Sequence, residues 1–115
     1  VAPLGGVFTP RNWADWLVTR YDLVETWLAG ATVLDPTCGD GALLLALAAG
    51  ALRRGVQPEA LPVQRLYGVE RESTAVAALL ARFRREIGTT PPRANIRTAD
   101  LLLTTPAFCA HVILI

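Results

Sequence analysis

From Arg11 onward, apolar side chains recur at three- and four-residue steps: Trp13, Trp16, Leu17, Val24, Trp27 and Leu28, with Tyr21 between them. That period marks one face of an amphipathic helix, and Gly30 supplies its stop. The pattern predicts a single helix over 11–30, with its tryptophans packed in the core rather than offered to a ligand. The ten residues before it hold two Pro, two Gly and no charge, and read as a lead-in loop.

Residues 32–34 form a short β-branched and apolar run that ends at Asp35-Pro36, where proline favours a turn. A loop follows to Gly41, then a run of Ala and Leu over 42–54. This second helix has almost no polar face, so it should be packed on more than one side. Arg53 and Arg54 suit the negative end of its dipole, and Gly55 closes it. Residues 64–69 read as a second strand leading to Glu70. Ser73 is the expected N-cap of a helix through Ile87, with Ala75, Val76, Leu79, Leu80 and Phe83 as its stripe. Arg82, Arg84 and Arg85 are expected on its solvated face. Residues 88–92 make a turn, 95–98 a third strand ending near Asp100, and 111–115 a fourth. Strands alternating with helices predict an α/β fold, a parallel sheet with helices on both faces.

A length of 115 residues allows about one domain of the usual ~100–200 residues. With 52% hydrophobic and 18% charged residues, the chain is not a disordered tail. Eleven Arg and no Lys against ten acids leave a net charge of +1, which gives no general polyanion-binding surface. The longest uncharged runs, 41–52 and 101–115, fall short of the ~20 apolar residues of a membrane span. With no basic region and apolar core of a signal peptide at the N-terminus, the expected setting is the cytoplasm, without membrane association. Cys38 and Cys109 fit neither a disulfide framework nor a metal site. Cys38 sits where a helix N-terminus could activate a thiol, but as a small loop residue it needs no such role.

The richest stretch is Asp35-Pro36-Thr37-Cys38-Gly39-Asp40-Gly41. Two glycines let backbone approach a ligand closely, and the next helix aims its N-terminal N–H groups at the same place. A dinucleotide fingerprint requires a third glycine and an acid ~20 residues on, but Leu44 and the more distant Glu70 do not supply them. A phosphate loop needs a lysine, and the chain has none. Carboxylates at Asp35 and Asp40 repel pyrophosphate and suit a positively charged ligand. S-adenosylmethionine, with its ammonium and sulfonium, fits; an ordinary strand-to-helix turn is the other reading. Glu70, at the carboxyl end of the second strand, can accept hydrogen bonds from ribose hydroxyls or simply cap a helix. Asp100, ending the third strand, can meet an adenine amino group or serve as a turn residue.

Gly6-Val7-Phe8-Thr9-Pro10 before a helix, followed by D-P-T-C-G-D-G, resembles the N-terminal half of the adenine-N6 DNA methyltransferases of restriction–modification and phage-defence systems, the subgroup with cofactor motifs first and target recognition last. Leu66-Tyr67-Gly68-Val69-Glu70 is similar to that family's ribose-binding strand, and Thr98-Ala99-Asp100-Leu101 stands where its adenine-contacting acid belongs. The resemblance implies a Rossmann-like S-adenosylmethionine-dependent methyltransferase fold. It divides the chain into 1–30, a loop and helix carrying the F-T-P motif, and 31–115, the first four strands of the methyltransferase domain. The implied cofactor-binding residues are Phe8, Thr9, Pro10, Asp35, Pro36, Cys38, Gly39, Gly41, Glu70, Arg71, Asp100 and Leu101. Among these, Thr9 and Pro10 would contact the methionine end, Glu70 the ribose, and Arg71 and Asp100 the adenine.

In that family the fourth strand runs into a tetrapeptide of Asn, Asp or Ser, then Pro-Pro, then an aromatic, which binds a base flipped from the duplex. The sequence stops at Ile115 without it. The expectation is therefore a fragment of a larger enzyme that binds cofactor but holds no catalytic residue and no metal, and that reaches DNA through the missing part. An uncovered fourth strand also predicts pairing with a second copy. An RNA or protein methyltransferase fragment and a non-catalytic binding module are the alternatives.

Overall fold

The computed structural model describes residues 10–36, 38–98 and 112–113. Two helices replace the single expected N-terminal one: α1 (Arg11–Arg20) and α2 (Leu23–Leu28). They part at Asp22, which adopts a left-handed conformation (φ 53°), one that Asp tolerates better than most residues. Its carbonyl accepts from both the amide and the hydroxyl of Thr26, at 3.1 and 2.9 Å, so the break is sealed locally.

The buried side of α1 is also not the expected one. Ala14 and Val18 face the core, while Trp13 and Trp16 stay 57% and 51% exposed and Tyr21 is exposed as well. Ala14 is small enough to bring α1 close to the Ala- and Leu-rich helix over 42–53; the bulky Trp13–Trp16 pair stands outside, its rings edge to face at 6.0 Å. Of the tryptophans only Trp27 is packed in the core as expected, beside Val24 of the same face. It is fully buried, and its Nε1 donates to the Pro62 carbonyl at 3.2 Å.

Helix α3 (Ala42–Arg53) is the centre of the molecule. Residues Ala42 through Ala48, with Gly50 and Ala51, are all buried, as an apolar helix without a polar face requires. Both α1 and α2 pack on it. At Gly50 the approach of α2 is so close that a Cβ there would stand 2.8 Å from Cγ2 of Val24. Gly55 (φ 92°) ends the helical segment as expected.

The strands are β1 (Val33–Asp35), β2 (Leu66–Glu70), β3 (Ile96–Thr98) and β4 (Val112–Ile113). All pair in parallel, in the order β3-β2-β1-β4. Helix α4 (Ser73–Glu86) connects β2 to β3. Since β1–α3–β2 and β2–α4–β3 step the same way across the sheet, right-handed crossovers place α3 and α4 on one face. The class is α/β and Rossmann-like. Ser73 does not cap α4 through its side chain; Glu72 is the capping residue, with no side-chain bond of its own. Long-range ties align the strand starts: Arg65 donates to the Ala31 and Trp27 carbonyls, and Asn95 to those of Gln64 and Leu66.

Among the described residues, no helix is long and apolar enough to cross a membrane.

Candidate functional site

The chain leaves β1 in the middle of the sheet, moves outward through β2 and β3, and returns on the other side of β1 as β4. The direction therefore reverses at β1. In open parallel sheets, ligands sit outside the carboxyl ends of the strands at such a switch point. The loop that leaves β1 there is Asp35–Gly41.

Strand register places two of the expected site residues, Asp35 and Glu70, at the strand ends on that edge. Asp35 lies level with Gly68, and Glu70 with Thr98. Asp35 is 1% exposed, a carboxylate taken almost wholly out of water at the mouth of the sheet. No buried side-chain nitrogen or oxygen among the described residues lacks a hydrogen-bond partner.

The loop is held to the neighbouring strand through its backbone. The Cys38 amide donates to the Val69 carbonyl at 3.0 Å, and the Gly41 amide donates to the Cys38 carbonyl at 2.7 Å. Gly39 (φ 53°) and Gly41 (φ 84°) are both left-handed, conformations that side chains resist. Gly41 has a second reason to be glycine: a Cβ would stand 2.8 Å from Cγ of Leu79 in α4. Its carbonyl starts α3 by accepting from Leu45 at 2.7 Å.

The side chain of Cys38 is buried between the loop and the sheet. Burial pushes its thiol up to about 12, and the negative charges of Asp35, Glu70 and Asp40 add to the shift. The thiol is therefore inert as a nucleophile near neutral pH. Asp35 and Asp40 belong to the loop itself, and Glu70 follows Val69, whose carbonyl accepts from Cys38.

Each of the three is used differently. Glu70 accepts the Glu72 amide on Oε2 at 2.8 Å, so part of its carboxylate does the local capping work that a lone acid after a strand commonly does. Oε1 makes no hydrogen bond to another described residue. Asp40 is not simply a charge flanking the turn. Its Oδ1 accepts the Ala42 amide at 3.2 Å and its Oδ2 meets Nη1 of Arg82 at 3.2 Å. Asp35 is left as the buried acid of the set.

Of the other expected residues, Pro10 is exposed and precedes α1, whose Ala14 amide donates to its carbonyl at 3.0 Å. Pro36 follows β1 directly, and Arg71 is exposed in the turn after Glu70. Phe8, Thr9, Asp100 and Leu101 lie outside the described residues, as does Thr37 of the loop.

Sequence reasoning missed two residues that shape this site. Gly68 is one: a Cβ there would stand 2.8 Å from Sγ of Cys38, so the glycine makes the seat for the thiol. Arg82 is the other. It was expected on a solvated face but reaches back to Asp40. The only sequence signal for Gly68 was a glycine interrupting a strand, a mark of close approach; Arg82 had none.

No protein-family model matches the sequence, and no curated protein matches it. Among solved structures, the chain is similar to a chain described as a modification subunit of a type I restriction enzyme from Vibrio vulnificus. The TM-score is 0.61 at 25% sequence identity, over 88% of this chain. The present chain spans about a fifth (20%) of that subunit's length.

Proposed function

We propose that this chain is the S-adenosylmethionine-binding portion of a restriction–modification methyltransferase whose target is the N6 amino group of adenine in DNA. The observation that carries the cofactor reading is a glycine loop at the switch point of a parallel sheet that holds Asp35 and Asp40 and is bonded through Cys38 to Val69, the neighbour of Glu70. Negative charge there favours a cationic ligand over a phosphate. The likeness to a restriction-enzyme modification subunit supports the restriction–modification methyltransferase part of this reading.

The residues present fit such a cofactor. Asp35 and the backbone around Cys38 and Gly39 would hold its charged amino-acid end, and the carboxylate of Glu70 would accept from the ribose. Arg71, exposed directly after Glu70, is assigned to the adenine ring by the family resemblance. The bound cofactor supplies an electrophilic methyl group. What this chain contributes is binding and orientation, which for an in-line transfer is a large part of the barrier. Adenine specificity rests on the F-T-P and D-P-T-C-G-D-G motifs. DNA contact and the groups that receive the target amine are assigned to the remainder of a longer protein.

Calorimetric titration of the chain with S-adenosylmethionine tests this, alongside Asp35→Ala and Glu70→Ala variants whose folding is checked by circular dichroism. Binding that both substitutions weaken supports the reading. A folded chain that takes up no cofactor overturns it.

A further inference from the structure

We infer that Arg82 is a positioning residue: it locks the start of α1 to the glycine loop, and through that lock sets how well the loop holds its ligand. The effect on the ligand rests on the cofactor reading above; the lock itself does not.

Arg82 lies in α4, yet its guanidinium is shared between two carboxylates. Nη1 meets Oδ2 of Asp40 at 3.2 Å, and Nε meets Oε2 of Glu86 at 2.6 Å. The second oxygen of Glu86 faces Nη1 of Arg11 at 3.5 Å. Arg11 follows Pro10 directly and is steadied by Asp15 at 3.3 Å. At the far end, Asp40 accepts the Ala42 amide through its other oxygen. A continuous series of charge-assisted contacts therefore runs from the first residue of α1, through α4, to the first residue of α3. It joins positions 42 and 75 residues apart in sequence.

A lone exposed ion pair contributes little to stability, so position gives this one its weight. Asp40 sits between Gly39 and Gly41, both left-handed. Glycines on either side give that segment more backbone freedom than any other residues would. The segment Gly39–Gly41 is thus a swivel with one side chain at its middle, and Arg82 holds that side chain. Geometry also selects arginine: a planar fork presents separate donors to two acids, whereas an ammonium is a single point charge. Consistent with tight sharing, Arg82 holds the Glu86 carboxyl below its ordinary value, with Arg11 adding to the effect.

The test uses the whole chain and the variants Arg82→Gln, Arg82→Lys and Glu86→Gln, each checked for an unchanged thermal midpoint. Amide hydrogen exchange is read at Gly39, Asp40 and Gly41, with the β2 amides as internal reference. Arg82→Gln is expected to speed exchange in the loop severalfold while leaving β2 unchanged, and Arg82→Lys is expected not to restore it. Glu86 does not touch the loop, so faster loop exchange in Glu86→Gln is the signature of a connected lock. Loop exchange unaltered in either glutamine variant overturns the inference.

Calorimetry with S-adenosylmethionine then reads the consequence, expected as about a threefold to tenfold loss of affinity, the scale of one or two partly exposed charge pairs. Unchanged affinity in variants with a loosened loop removes Arg82 from ligand positioning and leaves the cofactor site standing. A wild-type chain that binds no cofactor removes the cofactor reading, and the exchange data alone then decide the lock.

Discussion

Cys38 fills the space that a side chain at position 68 would need: a Cβ on Gly68 would stand 2.8 Å from its Sγ and 3.0 Å from its Cβ. The strand and the loop can lie this close only because one has no side chain and the other a small one. Gly68→Ala is expected to lower unfolding free energy by about 1–3 kcal/mol, the usual cost of overpacking, measured by urea denaturation. Cys38→Ala in that background should recover part of the loss, because it removes the closer of the two contacts. Equal stability of Gly68→Ala and wild type would show that the loop can move aside freely.

Gly41→Ala combines two penalties, a left-handed φ of 84° and a Cβ 2.8 Å from Cγ of Leu79. Backbone strain of this kind costs about 1–3 kcal/mol. Trimming the neighbour with Leu79→Ala relieves the clash but not the strain. In a double-mutant cycle by urea denaturation, the two substitutions should therefore be less than additive while Gly41→Ala stays destabilising in both backgrounds.

The Cys38 thiol, pushed up to about 12 by burial and by Asp35, predicts both reactivity and pH dependence. In a Cys109→Ser background, the folded chain should resist iodoacetamide at pH 8 and react once unfolded in urea. The unfolded thiol ionises near its ordinary value of 9.0, and the folded one only near 12. The folded state therefore binds more protons across that interval, and stability is lost as pH rises through it. Replacing Cys38 by Ala should flatten the alkaline side of a plot of thermal midpoint against pH. An unchanged alkaline slope would show that other groups control it.

The three tryptophans should separate cleanly. Trp13 and Trp16 are exposed and Trp27 is buried, so acrylamide should quench the first two and spare the third. Trp27→Ala should cost about 3–5 kcal/mol as a large-to-small core change. Trp13→Ala should stay within about 0.5 kcal/mol of wild type, as surface substitutions usually do. A larger loss at Trp13 would place it in a packed environment.

The regular elements of this chain are written in local pattern. The Ala and Leu run over 42–54 becomes α3 at Ala42–Arg53, and the stripe of Val76, Leu79 and Phe83 becomes the buried side of α4. The Asp35–Gly41 loop is legible because its glycines carry the left-handed turns themselves. The N-terminal helices are not, for a physical reason. Residues 11–20 offer two apolar sides, one with Trp13 and Trp16 and one with Ala14 and Val18, and periodicity cannot choose between them. The choice falls to close packing against α3, which favours the small residue. The partners of Gly68 and Arg82 are equally invisible, because they follow from strand register and helix placement across tens of residues.

Because α3 is apolar on every side, its neighbours are not optional coverings. Unpacking α1 and α2, or separating the sheet, would bare many of the ten Ala and Leu positions of α3 to water at once. Such a helix has no half-wet intermediate to rest in, so the N-terminal helices and the sheet should melt together in one transition. Insertions or cuts would then be tolerated at the turns around Asp22 and Gly55, where chain can lengthen without prying the layers apart. The same coupling would carry a disturbance at the outer face of α1 to the loop at the head of α3.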